Sequence, residues 1–186
     1  MARISGLRKA KLHLGCGCKI FHSSTKEEWY NLDMNPPSEC LDKKDTIIKG
    51  DILALTGLFP VKTFDEIYSE FVFEHLPLSA IFDLLYQMWL ILKDDGIIIV
   101  KVPNFLHIIK TFEEDCQEEG EDYSTLEGIA LRVFCTERES IHRSVWTPAS
   151  GRKYLEMDNL FRVTLADLAS DKDGTMTYRM IKKQKD

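Results

Sequence analysis

The sequence predicts an α/β domain whose sheet is mostly parallel and closes with an antiparallel pair. Three observations lead there. Short apolar strand signals recur along the N-terminal half, each with a polar residue at its carboxyl end. One strongly amphipathic helix lies directly between two of these strands, the pattern of a right-handed crossover in a parallel sheet. Near the end, two further strand signals flank Asp171-Lys172-Asp173-Gly174, a hairpin turn. With 186 residues, 44% hydrophobic and 29% charged, the chain suits one soluble domain with a sizeable core and is too short for two.

Lys11-Leu12-His13-Leu14 is the first strand and ends at Gly15-Cys16-Gly17. Trp29-Tyr30-Asn31-Leu32-Asp33 is the second and stops at an acid before the breaker Pro36-Pro37. Thr46-Ile47-Ile48-Lys49 reaches Gly50-Asp51, and Phe64-Asp65-Glu66-Ile67-Tyr68 runs into Ser69-Glu70. From Leu78 to Leu92 the apolar residues Ile81, Leu84, Leu85, Met88, Trp89 and Leu92 recur at helical steps, the stripe of a helix packed on a core. Lys93-Asp94-Asp95-Gly96 is expected to end it, the basic residue suiting a helix C-terminus and the glycine permitting the turn. Ile97 to Val102 should follow as a strand buried on both faces.

The rhythm then breaks. Residues 104–148 include Glu113, Glu114, Asp115, Glu118, Glu119, Glu121 and Asp122, read as a solvated acidic helix or loop rather than a site for a cationic ligand. A more apolar stretch follows around Ile129 to Phe134. Phe161 to Leu165 and Thr175 to Ile181 form the antiparallel pair, and Lys182-Lys183-Gln184-Lys185 reads as a solubilising tail.

The 24 Lys and Arg against 30 Asp and Glu leave a net charge of −6, so no overall field draws the chain to nucleic acid or an anionic membrane, and DNA is a disfavoured partner. No apolar run approaches the roughly 20 residues of a membrane-spanning helix. No apolar stretch follows the basic N-terminal residues, so no signal peptide is expected and the cytoplasm is the expected compartment. An odd number of cysteines, Cys16, Cys18, Cys40, Cys116 and Cys135, argues against a disulfide framework and fits reducing surroundings.

In open α/β sheets ligands bind beyond the carboxyl ends of the strands, where strand order reverses, so the polar strand ends should converge. Gly15-Cys16-Gly17 offers a backbone that a ligand can approach closely. Asp33, 18 residues beyond Gly15, is placed to accept both hydroxyls of a ribose. Asp51 and Glu70 end two further strands. A dinucleotide fingerprint would want glycine or alanine at position 20, where the chain has Ile20. Too few residues separate Gly17 from the second strand for a full helix, so the turn is ill suited to hold a pyrophosphate, and no P-loop is present.

Taken together, Lys11 to Gly17 (Lys-Leu-His-Leu-Gly-Cys-Gly), Trp29 to Asp33 (Trp-x-Asn-x-Asp), Phe64 to Ile67 (Phe-Asp-x-Ile) and Glu74-His75-Leu76 resemble the class I S-adenosylmethionine-dependent methyltransferases. Leu92 to Gly96 leading into Ile97 resembles that family's junction between helix and fifth strand, and the Asp173-Gly174 hairpin its antiparallel sixth and seventh strands. The likeness is close over residues 10–103 and holds in outline over 150–183. It implies a Rossmann-like, mostly parallel seven-stranded sheet with helices on both faces and a C-terminal antiparallel hairpin. Residues 1–186 would be a single methyltransferase domain, with 104–148 as a substrate-side insert.

The resemblance also implies the cofactor contacts. Gly15, Cys16 and Gly17 would border the methionine and ribose moieties, and Asp33 would hold the ribose hydroxyls with Met34 beside the adenine. Asp51 would meet the adenine amino group with Ile52 flanking it, and Glu70 with Phe71 would lie near the sulfonium and methionine part. The chain departs from the fuller Gly-x-Gly-x-Gly pattern at Lys19.

The expected activity is methyl transfer from S-adenosylmethionine to a small-molecule or sugar-like acceptor, leaving S-adenosylhomocysteine. Holding the nucleophile in line and excluding water supplies much of the catalysis. A base matters only if the nucleophile must lose a proton, and His75 and His142 are the candidates. The plainer alternatives are a residue at the start of a helix for His75 and a solvated loop residue for His142. Two other functions stay open: a non-catalytic module or partner-dependent subunit binding S-adenosylmethionine or S-adenosylhomocysteine, and a nicotinamide-dependent oxidoreductase.

Asn35-Pro36-Pro37-Ser38 looks like a base-methylation motif, but it follows the second strand instead of the fourth and lacks the stacking aromatic. Cys16-Gly17-Cys18 has no second pair at ligand spacing, so no metal is expected. So short a chain has little room for a separate substrate domain, which leaves a place for a partner protein or a homodimer to complete the site.

Overall fold

A computed structural model of the chain describes residues 8–36, 47–110, 142–167 and 174–183. Its strands are β1 (Lys9–Leu14), β2 (Glu27–Asp33), β3 (Ile47–Lys49), β4 (Phe64–Glu70), β5 (Leu92–Pro103), β6 (Phe161–Asp167) and β7 (Thr175–Lys182). They form one seven-stranded sheet in the order β3-β2-β1-β4-β5-β7-β6. Strands β1 to β5 pair in parallel, and β7 runs antiparallel to both β5 and β6. This is the expected mostly parallel sheet with an antiparallel C-terminal end. Strand order reverses between β1 and β4, which puts a crevice at their carboxyl ends.

The helices around the sheet are α1 (Leu55–Leu58), α2 (Leu78–Ile91) and α3 (Pro148–Glu156); residues 105–110 are also helical. Helix α2 buries Ile81, Leu84, Leu85 and Met88 of the anticipated stripe together with Ile91, whereas Trp89 is only partly buried and Leu92 already belongs to β5; each fully buried side chain contributes about 1.5–3 kcal/mol. With Leu12, Leu14, Leu32, Phe64, Ile67 and Ile98 they form the core. None of the helices among the described residues is long and apolar enough to cross a membrane.

Several expectations need correction. Lys93 to Gly96 do not form a helix-ending turn: β5 begins at Leu92, directly after α2, and its ladder partners on β4 jump from Leu92 opposite Phe64 to Ile97 opposite Glu66. Ion pairs Lys93–Asp65 and Lys62–Asp94, each 2.7 Å, hold the resulting irregularity. Nor is β5 buried on both faces. Ile98, Val100 and Val102 are fully buried while Ile97 and Ile99 are only partly covered, the alternation of a strand with one packed face.

Lys182 is no part of a solvated tail. It ends β7 buried, its ammonium donating to the Leu92 carbonyl at 2.8 Å and lying 4.3 Å from the Trp89 ring centroid. Cys18 is disulfide-bonded, against the expectation drawn from the odd cysteine count. The acidic residues from Glu113 to Asp122, the stretch Ile129 to Phe134 and the turn residues Asp171 to Asp173 lie outside the described residues.

The crossover from β1 to β2 has no helix, as its length implied. Phe21 takes the place of one. Buried Asn31 grips its backbone from both sides, accepting from the Phe21 N–H and donating to the Phe21 carbonyl at 3.0 Å each. The Phe21 ring stacks on His13 at 4.5 Å and meets Trp29 and Tyr68 at 4.6 and 5.3 Å. Residues 15–26 are thereby held against the β1, β2 and β4 face, beside the crevice.

Candidate functional site

The loop after β1 is built for close approach. The N–H groups of Gly15 and Cys16 both donate to the Leu32 carbonyl, at 2.8 and 3.1 Å, which bends the chain sharply off the sheet. Gly15 has φ +65, and a Cβ there would lie 2.3 Å from Cγ2 of Val72, so the β1 loop and the segment after β4 touch only because this position has no side chain. Gly15→Ala is expected to destabilise the protein by at least about 1–2 kcal/mol from the left-handed backbone alone, before the clash is counted. Thermal denaturation checks it; an unchanged midpoint would show that the loop relaxes freely.

Cys16 is a free, buried thiol. Burial, then the charge of Asp33, pushes it up to about 11, so it stays protonated and unreactive at neutral pH. Asp33, at the end of β2, accepts from the Gly17 N–H and the Asn35 N–H, one on each carboxylate oxygen, both at 2.8 Å. Each oxygen keeps acceptor capacity, so the loop is positioned by the residue expected to hold the ligand's hydroxyls.

The Gly50 N–H donates to the Asp33 carbonyl at 3.0 Å, which brings Asp51 beside it. Asp51 is exposed and accepts from the Leu53 N–H at 2.8 Å, capping the short turn Ile52–Ala54. Ile52 packs partly against the core. Met34 is 55% exposed, an apolar side chain lying open at the carboxyl end of the sheet.

Glu70 ends β4 across the crevice from the glycine loop. Its carboxylate accepts from the Tyr68 hydroxyl at 3.1 Å, pairs with Lys101 at 3.5 Å and is bonded by Lys19. Burial works to raise this carboxyl, but the Lys19 ammonium, helped by Tyr68 and Lys101, holds it below its ordinary value. Lys19, the departure from the glycine pattern, thus spans the crevice. Phe71 follows with φ +54 and its ring 45% exposed.

Beyond Val72 the turn Phe73–His75 brings a second group together. His75 and His142, far apart in the sequence, have ring centroids 4.9 Å apart. Backbone bonds put them there: the Glu74 carbonyl accepts from the N–H groups of Arg143 and Ser144, at 2.7 and 3.1 Å. Close to both is Glu74, 2% exposed, with neither carboxylate oxygen hydrogen-bonded. Burial pushes its carboxyl up to about 7. Glu74 and His142 line a pocket with Pro103, Phe105, Ile108 and Trp146. Sequence reasoning named both histidines but passed over Glu74, which only its place beside His75 could have suggested.

All the cofactor-side residues anticipated from the sequence therefore lie at carboxyl ends of β1 to β4, and Asp33 accepts from the N–H groups of both Gly17 and Gly50. The histidine pair and Glu74 form a separate group, joined to the glycine loop through Val72.

No protein-family model matches the chain, and no curated protein does. Solved structures do. A chain from a complex of the Haloferax volcanii Trm112 methyltransferase activator with a candidate methyltransferase superposes with TM-score 0.66 at 15% identity, covering 96% of this chain and 85% of that one. A SAM-dependent methyltransferase from Archaeoglobus fulgidus gives 0.60 at 17%, covering 95% and 86%. The 1,6-didemethyltoxoflavin-N1-methyltransferase of Burkholderia thailandensis, solved with S-adenosylhomocysteine, gives 0.63 at 12%, covering 96% and 73%. The chain has the fold of the class I methyltransferases.

Proposed function

We propose that this protein transfers the methyl group of S-adenosylmethionine to a small-molecule or sugar-like acceptor. The observation that carries the reading is the convergence of Gly15-Cys16-Gly17, Asp33 and Glu70 where strand order reverses, on this fold. Asp33 would hold the ribose hydroxyls, with Met34 beside the adenine. Asp51 would accept from the adenine amino group, and Ile52 would flank it. Glu70 would take the ammonium of the amino-acid end, Phe71 would cover the sulfonium side, and Lys19, released from Glu70, would meet the carboxylate. When bound, the cofactor supplies a methyl group already activated on sulfur.

The acceptor would enter beside Glu74 and His142, where the cleft has room for about one water and would have to widen to take it. Phe105 and Trp146, joined by a backbone bond of 2.9 Å, tie the two ends of the 104–148 insert together over it, which favours exclusion of water. The imidazoles would orient the acceptor and, where it carries a proton, take part in its removal.

Calorimetric titration with S-adenosylmethionine, S-adenosylhomocysteine and NAD tests the reading. Micromolar binding of the first two and none of NAD is expected, and binding of NAD instead would overturn it. His75→Ala and His142→Ala are expected to leave S-adenosylhomocysteine affinity within about twofold, since neither is among the residues assigned to the cofactor, while slowing turnover of an acceptor. A second reading, a subunit active only with a partner, draws on the Haloferax neighbour, a complex with an activator. Cofactor binding without turnover by the isolated chain would favour it.

A further inference from the structure

We infer that Glu74, His75 and His142 bind one first-row divalent metal ion beside the acceptor pocket. Three observations carry this. The first is the donor set. One carboxylate oxygen and two imidazole nitrogens lie within 4.8 Å of one another, with His75 Nε2 already 4.0 Å from Glu74 Oε1. Three donors at bond lengths of about 2.1 Å stand roughly 3–3.5 Å apart, so small side-chain rotations close the site. Two histidines and one carboxylate suit Zn2+, Mn2+, Fe2+ or Co2+, and the absence of thiolate from the set argues against softer ions.

The second is Glu74 itself. Its residue is 2% exposed and both its oxygens lack a hydrogen-bond partner. A carboxylate buried this way is expensive, and a cation among its neighbours is the natural compensation. The third is the frame. The Arg143 and Ser144 N–H groups clamp the Glu74 carbonyl, and the Ser144 hydroxyl donates to the Phe73 carbonyl at 3.2 Å, so the segment bearing His142 is fixed to the turn bearing the other two donors. Donors on a rigid frame hold their geometry before the ion arrives.

Three protein ligands leave coordination positions open, and Glu74 and His142 line the pocket through which an acceptor would reach them. A hydroxyl bound there would be acidified by the ion. That consequence rests on the methyl-transfer reading; the metal site does not.

The test is calorimetric titration of chelator-treated full-length protein with ZnCl2, paired with the visible absorption of its Co2+ form. One tight equivalent is expected. Glu74→Gln and His142→Gln should each weaken it by more than about tenfold and alter the Co2+ bands, while the exposed His22→Gln leaves both unchanged. No binding by the wild-type protein, or an affinity that both variants retain, overturns the site. The second result would place the ion elsewhere, for instance on cysteines. S-adenosylhomocysteine titration and circular dichroism on the same samples report the fold. They also separate the two readings, since cofactor binding without Zn2+ binding sinks only the metal site, and the reverse only the cofactor assignment.

Discussion

Replacing Trp146 with alanine is expected to destabilise the protein by about 3–5 kcal/mol, the range for removing a fully buried aromatic. The side chain is 1% exposed. Its ring meets Phe73 at 6.0 Å, Tyr154 at 5.4 Å and Tyr178 at 6.5 Å, so it joins the turn after β4 to α3 and β7. Its indole N–H donates to the Ser144 hydroxyl at 2.9 Å, and that hydroxyl in turn reaches Phe73. Alanine removes the ring contacts and an interior hydrogen bond together, and it also removes a wall of the acceptor pocket. Urea denaturation followed by circular dichroism measures the loss. Trp146→Phe should recover most of the packing and none of the hydrogen bond, so it should fall between the two. A loss below about 1 kcal/mol for alanine would mean that the pocket wall collapses without penalty, contrary to the close packing of such interiors.

Much of the sheet was legible because short apolar strands with glycine or an acid at their carboxyl ends leave a short-range pattern, as Leu12, Leu14 and then Gly15 do. The sequence missed what depends on long-range contact. Helix α3 has a start signal, Thr147 and Ser150 capping each other with Pro148 at the first turn, yet it buries only Gly151 and Leu155, too few for a visible stripe. Gly151 is there because Tyr178 lies against it, where a Cβ would come within 2.2 Å of the hydroxyl.

Lys182 and Glu74 were misjudged or passed over for a related reason. Charged residues read as solvated unless something shows where they go, and what buries them comes from elsewhere in the chain: Leu92 and Trp89 for Lys182, Arg143 and Ser144 beside Glu74. The histidine pair illustrates the limit most sharply. Each residue was singled out by its type and local setting, but only backbone bonds to Glu74 bring the two within reach of one another. Lys19 marks the opposite case, since a departure from a glycine pattern was visible at once and its meaning, a salt bridge to Glu70 across the crevice, was not.

Asp33→Ala is expected to weaken S-adenosylhomocysteine binding by about 1–3 kcal/mol, the worth of charge-assisted hydrogen bonds to a ribose. The structure gives Asp33 a second task, because its oxygens already hold the N–H groups of Gly17 and Asn35 at 2.8 Å. A loss of affinity alone would therefore not tell a ribose acceptor from a loop clip. A double-mutant cycle with the 2′-deoxy analogue of S-adenosylhomocysteine separates them. If Asp33 grips the hydroxyls, deleting either partner removes the same interaction, and the variant should bind the deoxy and ordinary ligands almost equally. If it only clips the loop, the penalties of the substitution and the missing hydroxyl should add. Additive losses would move the ribose away from Asp33 and take with them the orientation assigned to every other cofactor contact, because Met34, Asp51 and Glu70 are placed along the ligand from that one anchor.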